Sequence, residues 1–196
     1  MVRLDDSGDV TKCWLAPDEL AAVERAAGAT DWEREIAMQL MGRCGLRSDE
    51  VPYPCDDGLR WSEDGEIWLF EVRGKNTAGG APKVRDAWMP EDVEENVRRF
   101  SRERGLDATE SWVSVSPRSV RRWVEEAAEQ VADDRGDDRF REVSSHDLRR
   151  SWANHHLVER GVGVREMMSI GGWSSYSAIE PYLNEPTESK IGAAVR

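Results

Sequence analysis

The sequence predicts an α+β fold, mainly α-helical, with one small antiparallel β-sheet. Three observations support that class. Amphipathic runs bounded by helix start and stop signals recur from about residue 16 to 170. One pair of β-prone apolar runs, 67–72 and 84–89, faces itself across a polar, glycine-containing connection. A length of 196 residues suits a single domain able to bury a core, and no internal repeat, coiled coil or low-complexity segment interrupts it.

The elements follow in order. Ala16-Pro17-Asp18-Glu19-Leu20 opens a helix with an early proline and acids in the first turn, and the alanine-rich run ends near Gly28. Thr30 with Glu33 forms a capping-box pattern ahead of Ile36, Ala37, Leu40 and Met41, so a second helix runs to about Arg43. Residues 51–64 read as loop and turn. The run 67–72 is a strand, 76–80 a flexible connection, and Val84 to Met89 a returning strand stopped at Pro90, with Lys75 and Lys83 flanking the hairpin tip. From 90 to 103 a helix places acids first and Arg98, Arg99 and Arg102 late, as the macrodipole favours.

Ser116-Pro117 begins a helix with the opposite arrangement. Arg118, Arg121 and Arg122 fill its first turns and acids its later part, which is unfavourable unless a DNA phosphate or a neighbouring carboxylate compensates. A polar loop (133–140) leads to Ser144 or Ser145, which caps a helix from His146 to about Arg160. Gly161 and Gly163 break it, 164–170 forms a short helix, Gly171-Gly172 turns the chain, and a last short helix carries Tyr182.

The formal net charge is −12, from 39 acidic and 27 basic residues, and only four of the basic residues (Lys12, Lys75, Lys83, Lys190) are lysines. An acidic balance argues against nucleic acid as a bulk partner, but a site depends on how charge is distributed rather than on its average. An acid-rich, lysine-poor surface also suits concentrated salt, where the Debye length falls to roughly 3 Å at 1 M. Cys13, Cys44 and Cys55 are far apart and form no CxxC pair, so reduced thiols are expected rather than disulfides or a zinc site. His155 and His156 are adjacent and point apart on a helix, which disfavours a histidine metal site. No apolar run is long enough to span a membrane and the N-terminus lacks a signal-peptide order, so a cytoplasmic protein is expected.

Metal-free cleavage of a phosphodiester needs a nucleophile in line, cations on the non-bridging oxygens and an acid for the leaving oxygen. Arginine suits the oxygens because its planar fork binds in bidentate fashion and keeps its proton. Tyrosine can attack and conserve the bond energy as a phosphotyrosyl ester. The chain offers Arg47 after the second helix, His146 and Arg149 one turn apart on one helix face, Trp173, and Tyr182 nine residues later.

In these residues the chain resembles the catalytic domain of the tyrosine recombinase (phage integrase) family. Gly45-Leu46-Arg47 with Glu50 matches the family's first box, His146-Asp147-Leu148-Arg149 its His-x-Leu-Arg box, and Gly172-Trp173-Ser174-Ser175 its His/Trp box, with Tyr182 at the family's spacing. The resemblance covers about 16–183. It implies the recombinase catalytic-domain fold, with 1–196 a single catalytic domain, 184–196 a C-terminal tail, and the N-terminal core-binding domain absent. It implies that Tyr182 attacks a DNA phosphate to leave a 3′-phosphotyrosyl link and a free 5′-hydroxyl. Arg47 and Arg149 would clamp the non-bridging oxygens, Lys75 (or Lys83) would protonate the 5′-oxygen, His146 would assist proton transfer, and Trp173 would donate its indole N–H and pack the site. Glu50 is expected to be structural, pairing with an arginine. Arg118, Arg121 and Arg122 resemble the family helix that approaches DNA. The implied partners are double-stranded DNA and other copies of the chain assembled on it, in integration or excision of a mobile or viral element, with no metal or nucleotide cofactor. Two other readings of the same residues are a type IB topoisomerase and a non-catalytic DNA-binding regulator.

Overall fold

The computed structural model describes residues 2–5, 11–74, 84–182 and 191–192, and for Tyr182 the backbone alone. Lys75, Lys83, the predicted hairpin tip and most of the predicted tail lie outside the described residues.

The helical framework follows the sequence signals closely. Helix α1 (Pro17–Thr30) starts with Pro17 in its first turn, and Glu19 folds back to accept the Ala16 N–H at 2.9 Å. Helix α2 (Trp32–Gly42) corrects the predicted cap. Thr30 is the last residue of α1, and Asp31 caps α2 by accepting the Glu33 N–H at 2.8 Å. Glu33 turns away from the cap and accepts from the Ser114 N–H at 2.6 Å. Helix α3 (Glu91–Arg104) follows Pro90 as predicted. Helix α4 (Pro117–Arg135) is capped by Ser116 and runs into the stretch predicted as polar loop, ending at Gly136 in a left-handed cap.

The sheet is larger than predicted. Strand β4 (Ile67–Arg73) pairs antiparallel with β5 (Val84–Met89), as the apolar runs indicated, but β3 (Leu59–Ser62) adds a third strand in the order β3-β4-β5. Only Leu59 of β3 is buried, so its sequence shows no apolar alternation and 51–64 reads as loop. A separate two-stranded ladder joins β1 (Arg3–Asp5) to β2 (Lys12–Trp14), and both are too short to show a period.

The core gathers Ile36, Leu40 and Met41 of α2, Val120 and Val124 of α4, Phe70 of β4 and Trp112 into one cluster. Helix α5 (Ser145–Asn154) packs on α2 and β2 and then changes pitch. His155–Glu159 is a π-helical turn rather than the predicted continuation to Arg160. Helix α6 (Val164–Gly171), the short α7 (Tyr176–Ile179) and a 3₁₀ turn, Glu180–Tyr182, complete the chain, so Tyr182 sits on the turn after α7. Beneath these C-terminal elements lies a second, small cluster of Trp152, Ala153, Met167, Trp173 and Ile179. Of the predicted site residues, Arg47, His146, Arg149 and Trp173 meet where the two clusters join.

Candidate active site

The frame of the site is the first turn of α5. Asp147 is fully buried and holds three elements at once. Its Oδ2 accepts the Ser144 N–H at 2.9 Å and the Ser144 hydroxyl, closing a capping box, while its Oδ1 accepts the Cys13 N–H of β2 at 2.9 Å and pairs with Arg150. Asp147 thereby fixes the register that puts His146 and Arg149 one turn apart. Sequence reasoning overlooked it, although Ser144 followed three residues later by Asp147 is a readable capping signal.

Arg149 is fully enclosed, and its guanidinium donates to the carbonyl of Gly45 and to that of Gly171 at 2.6 Å. Its Cζ lies 4.1 Å from the centre of the Trp173 ring, a cation–π contact with the next predicted residue of the set. Trp173 is buried and stacks on Trp152, centroids 5.9 Å apart and planes 17° from parallel. Trp152 in turn fills the space beside Gly45, whose φ of +73° and lack of a side chain let the chain pass under the indole.

Arg47 is the solvent-facing partner, with a side chain 37 % exposed. Glu50 organises it: Oε2 accepts the Arg47 backbone N–H at 2.8 Å and Oε1 accepts Arg47 Nη1 at 3.0 Å. The same carboxylate receives Nη2 of Arg85 from β5 at 3.1 Å and lies 3.9 Å from Nη1 of Arg149. One buried carboxylate therefore joins three arginines from a loop, a strand and a helix. Glu50 was expected to be an arginine partner at most, and Arg85 was missed, although it shares a strand face with the buried Ala87 and Met89.

His146 keeps a solvent-facing surface at the start of α5. Partial burial of its ring, then the cations Arg150, Arg149 and Arg47, push its pKa from 6.5 to about 4, so its imidazole is neutral at physiological pH. The α4 arginines resolve the dipole conflict through carboxylates. Arg121 donates to Ser48 Oγ at 3.1 Å and to Asp49 Oδ1 at 2.5 Å, and Arg122 pairs with Glu126 at 3.3 Å, while Arg118 is exposed. Arg121 thus reaches the same turn, 47–50, that carries Arg47. Among the described residues no cluster of His, Cys, Asp and Glu could hold a metal, and no helix is long and apolar enough to cross a membrane.

This combination of a mainly helical domain, a small antiparallel sheet and an ordered arginine–histidine–arginine–tryptophan set defines the tyrosine recombinase class. The profile of the phage integrase family matches residues 14–188, and the chain belongs to that family. A search of curated proteins found no significant match. Solved structures agree on the fold. XerA recombinase superposes with a TM-score of 0.68 at 18 % identity over 92 % of this chain and 63 % of its own. The Tn1549 transposon integrase with a circular intermediate DNA gives 0.71 at 15 % over 97 % and 67 %. A lambda integrase dimer bound to a core site gives 0.59 at 16 % over 86 % and 47 %. The chain therefore spans about two thirds or less of each of these relatives.

Proposed function

We propose that this chain is the catalytic part of a site-specific DNA recombinase that cuts and rejoins duplex DNA through a 3′-phosphotyrosyl intermediate, in integration or excision of a mobile element within the cytoplasm. The observation that carries the reading is the convergence on Glu50 of Arg47 and Arg149, which are separated by 102 positions in the sequence, with His146 one turn from Arg149 and Trp173 against it.

The chemistry follows from that arrangement. The phenolic oxygen of Tyr182 forms a bond to phosphorus and the bond from phosphorus to the 5′-oxygen breaks. Neutral His146 takes the phenol proton, and a hairpin lysine, Lys75 or Lys83, gives one to the departing oxygen. Arg47 and Arg149 hold the non-bridging oxygens as charge builds on them. Arg149 gives up neutral carbonyl acceptors for a charged oxygen in doing so, and charge-assisted hydrogen bonds are roughly twice as strong as neutral ones. Closing on DNA therefore requires the Gly171 segment to release Arg149. Further copies of the chain on the same DNA would complete strand exchange.

The test is covalent trapping on nicked duplexes across a range of salt. Wild type should yield a protein–DNA adduct and Tyr182→Phe none. No adduct on any bound DNA, or equal adduct from the phenylalanine variant, overturns the assignment. One observation favours a second reading, a DNA-binding regulator that does not cut: the full enclosure of Arg149. DNA binding without an adduct, unaltered by Tyr182→Phe, selects that reading.

A further inference from the structure

Arg85 is the second residue of β5, at the start of the strand, yet its side chain is only 10 % exposed. Nη2 reaches Glu50 Oε2, while Nε and Nη1 are buried with no hydrogen-bond partner among the described residues. A Cβ added to Gly172 would lie 2.5 Å from Arg85 Nε and 2.6 Å from its Cδ, so the arginine stem rests directly on the backbone beside Trp173. Arg85 therefore touches the carboxylate that holds Arg47 on one side and the turn that carries Trp173 on the other. Burying an arginine with two unmade donors costs stability, and burial accordingly lowers its pKa from the usual value although the guanidinium stays charged.

Its charge explains the arrangement. With Arg85 present, three guanidiniums share one carboxylate and the cluster keeps two positive charges. Without it, Glu50 would neutralise half of the Arg47–Arg149 pair. A phosphodiester brings one negative charge and gains a second as the tyrosine adds, so a doubly positive cluster matches the charge that develops.

We propose, building on the recombinase reading, that Arg85 is a positioning residue for strand cleavage: it holds Glu50 from the strand side, so that the carboxylate aligns Arg47 without cancelling the clamp. Arg85 does not touch the phosphate. It sets the geometry and charge of the groups that do.

The experiment measures adduct formation at saturating nicked DNA together with the Kd for the same duplex, for wild type, Arg85→Ala, Arg85→Lys, Glu50→Gln and the Arg85→Ala/Glu50→Gln double variant. Arg85→Ala should slow adduct formation about 10–100-fold with Kd changed less than about 3-fold, the mark of an effect on the reacting state. Arg85→Lys should recover part of the rate because an ammonium can still reach Glu50. In the Glu50→Gln background, Arg85→Ala should cost less than about 3-fold, since the carboxylate it manages is gone. A weakened Kd with an unchanged saturated rate, or losses that multiply in the double variant, overturns the proposal. A wild type that forms no adduct overturns the recombinase reading instead. The same set of proteins unfolded in urea then decides the pair, because additive stability losses would dissociate Arg85 from Glu50.

Discussion

Gly45 joins the fold to the site, and substituting it should damage both. Its φ of +73° is left-handed, and a Cβ there would lie 2.4–2.6 Å from three carbons of the Trp152 indole. Gly45→Ala therefore carries two costs. Holding an L-residue in left-handed backbone costs about 1–2 kcal/mol, and forcing a methyl into a packed ring typically costs about 1–3 kcal/mol more. The sum, roughly 2–5 kcal/mol, corresponds to a melting-temperature loss of roughly 4–20 °C at about 2–4 °C per kcal/mol for a chain of this size. The chain contains its own control. Gly105 has nearly the same backbone, φ +65°, but a Cβ there would meet nothing within 4 Å. Gly105→Ala should show the backbone cost alone.

Urea unfolding of the two variants separates the terms, and the difference between them reports the Trp152 contact. Function supplies a second measure. The Gly45 carbonyl accepts from Arg149 and Trp152 stacks on Trp173, so displacing the indole shifts two predicted site residues together. At a temperature where both variants are folded, Gly45→Ala should slow adduct formation at saturating DNA and Gly105→Ala should not. Equal destabilisation by the two alanines would show that Trp152 yields freely, and would refute the claim that Gly45 sets the packing of the site.

Three other outcomes are expected. Asp147→Ala removes the acceptor shared by Ser144, Cys13 and Arg150 and should cost roughly 3–5 kcal/mol in urea unfolding, as breaking a buried charge network does; a loss below 1 kcal/mol would contradict the tether role assigned to it. Stability should respond to pH through two buried groups of opposite sign: His156, pushed down to about 4 first by burial, loses its contribution as pH falls from 6.5 toward 4, whereas Glu24, raised to about 7 chiefly by burial, loses its contribution as pH rises from 4.5 through 7. Between pH 5 and 7 each is worth on the order of 2 kcal/mol, so Glu24→Gln should make stability climb with pH and His156→Phe should make it fall, and identical slopes in both variants would refute the assignment. Arg121→Ala should leave stability within about 1 kcal/mol, because its pair with Asp49 is exposed, yet lower the salt slope of DNA binding by clearly less than one, because a phosphate would replace Asp49 rather than add a wholly new ion contact.

The sequence made the helices legible because each carries its own punctuation, from Pro17 and Ser116 to the glycines after α4 and α6. It hid β3, where only Leu59 is buried, and it gave no warning of the π-helical turn at 155–159, which depends on how the C-terminal elements pack and not on local preference. Within the site, residues in ordered boxes were readable: Arg47, His146, Arg149 and Trp173 do come together, whereas Lys75 and Lys83 lie outside the described residues. Asp147 was quoted within its box without its role and Glu50 only as a partner of an arginine, since a carboxylate that serves three arginines is visible only once strands and helices are assembled. Arg85 was missed for the same reason. Its partner lies 35 positions away, and only the period-2 alternation with the buried Ala87 and Met89 could have marked it as facing inward.

The proposed DNA partner can be reconciled with a net charge of −12 through where the carboxylates sit. Many arginines here are already paired, but the pairs are of two kinds. Arg60–Asp86, Arg104–Asp31, Arg121–Asp49 and Arg122–Glu126 join side chains that are each about a third or more exposed. Such pairs are worth little and screen away in salt, so a phosphate can take the arginine at small cost. Glu50 is the opposite kind: its side chain is 4 % exposed and three guanidiniums surround it. A phosphate would not readily displace so buried a group, and with its three partners Glu50 forms a cluster of formal charge +2. An acidic protein can therefore present a cationic centre; under the recombinase reading, exposed carboxylates beside it, such as Asp49, would be replaceable by phosphates while the buried Glu50 holds Arg47 and Arg149. Raising salt weakens the replaceable pairs and the DNA contacts together, so binding should depend less steeply on salt than a count of phosphate contacts implies. A duplex affinity falling at the full slope for every arginine on that face would show that the carboxylates do not compete.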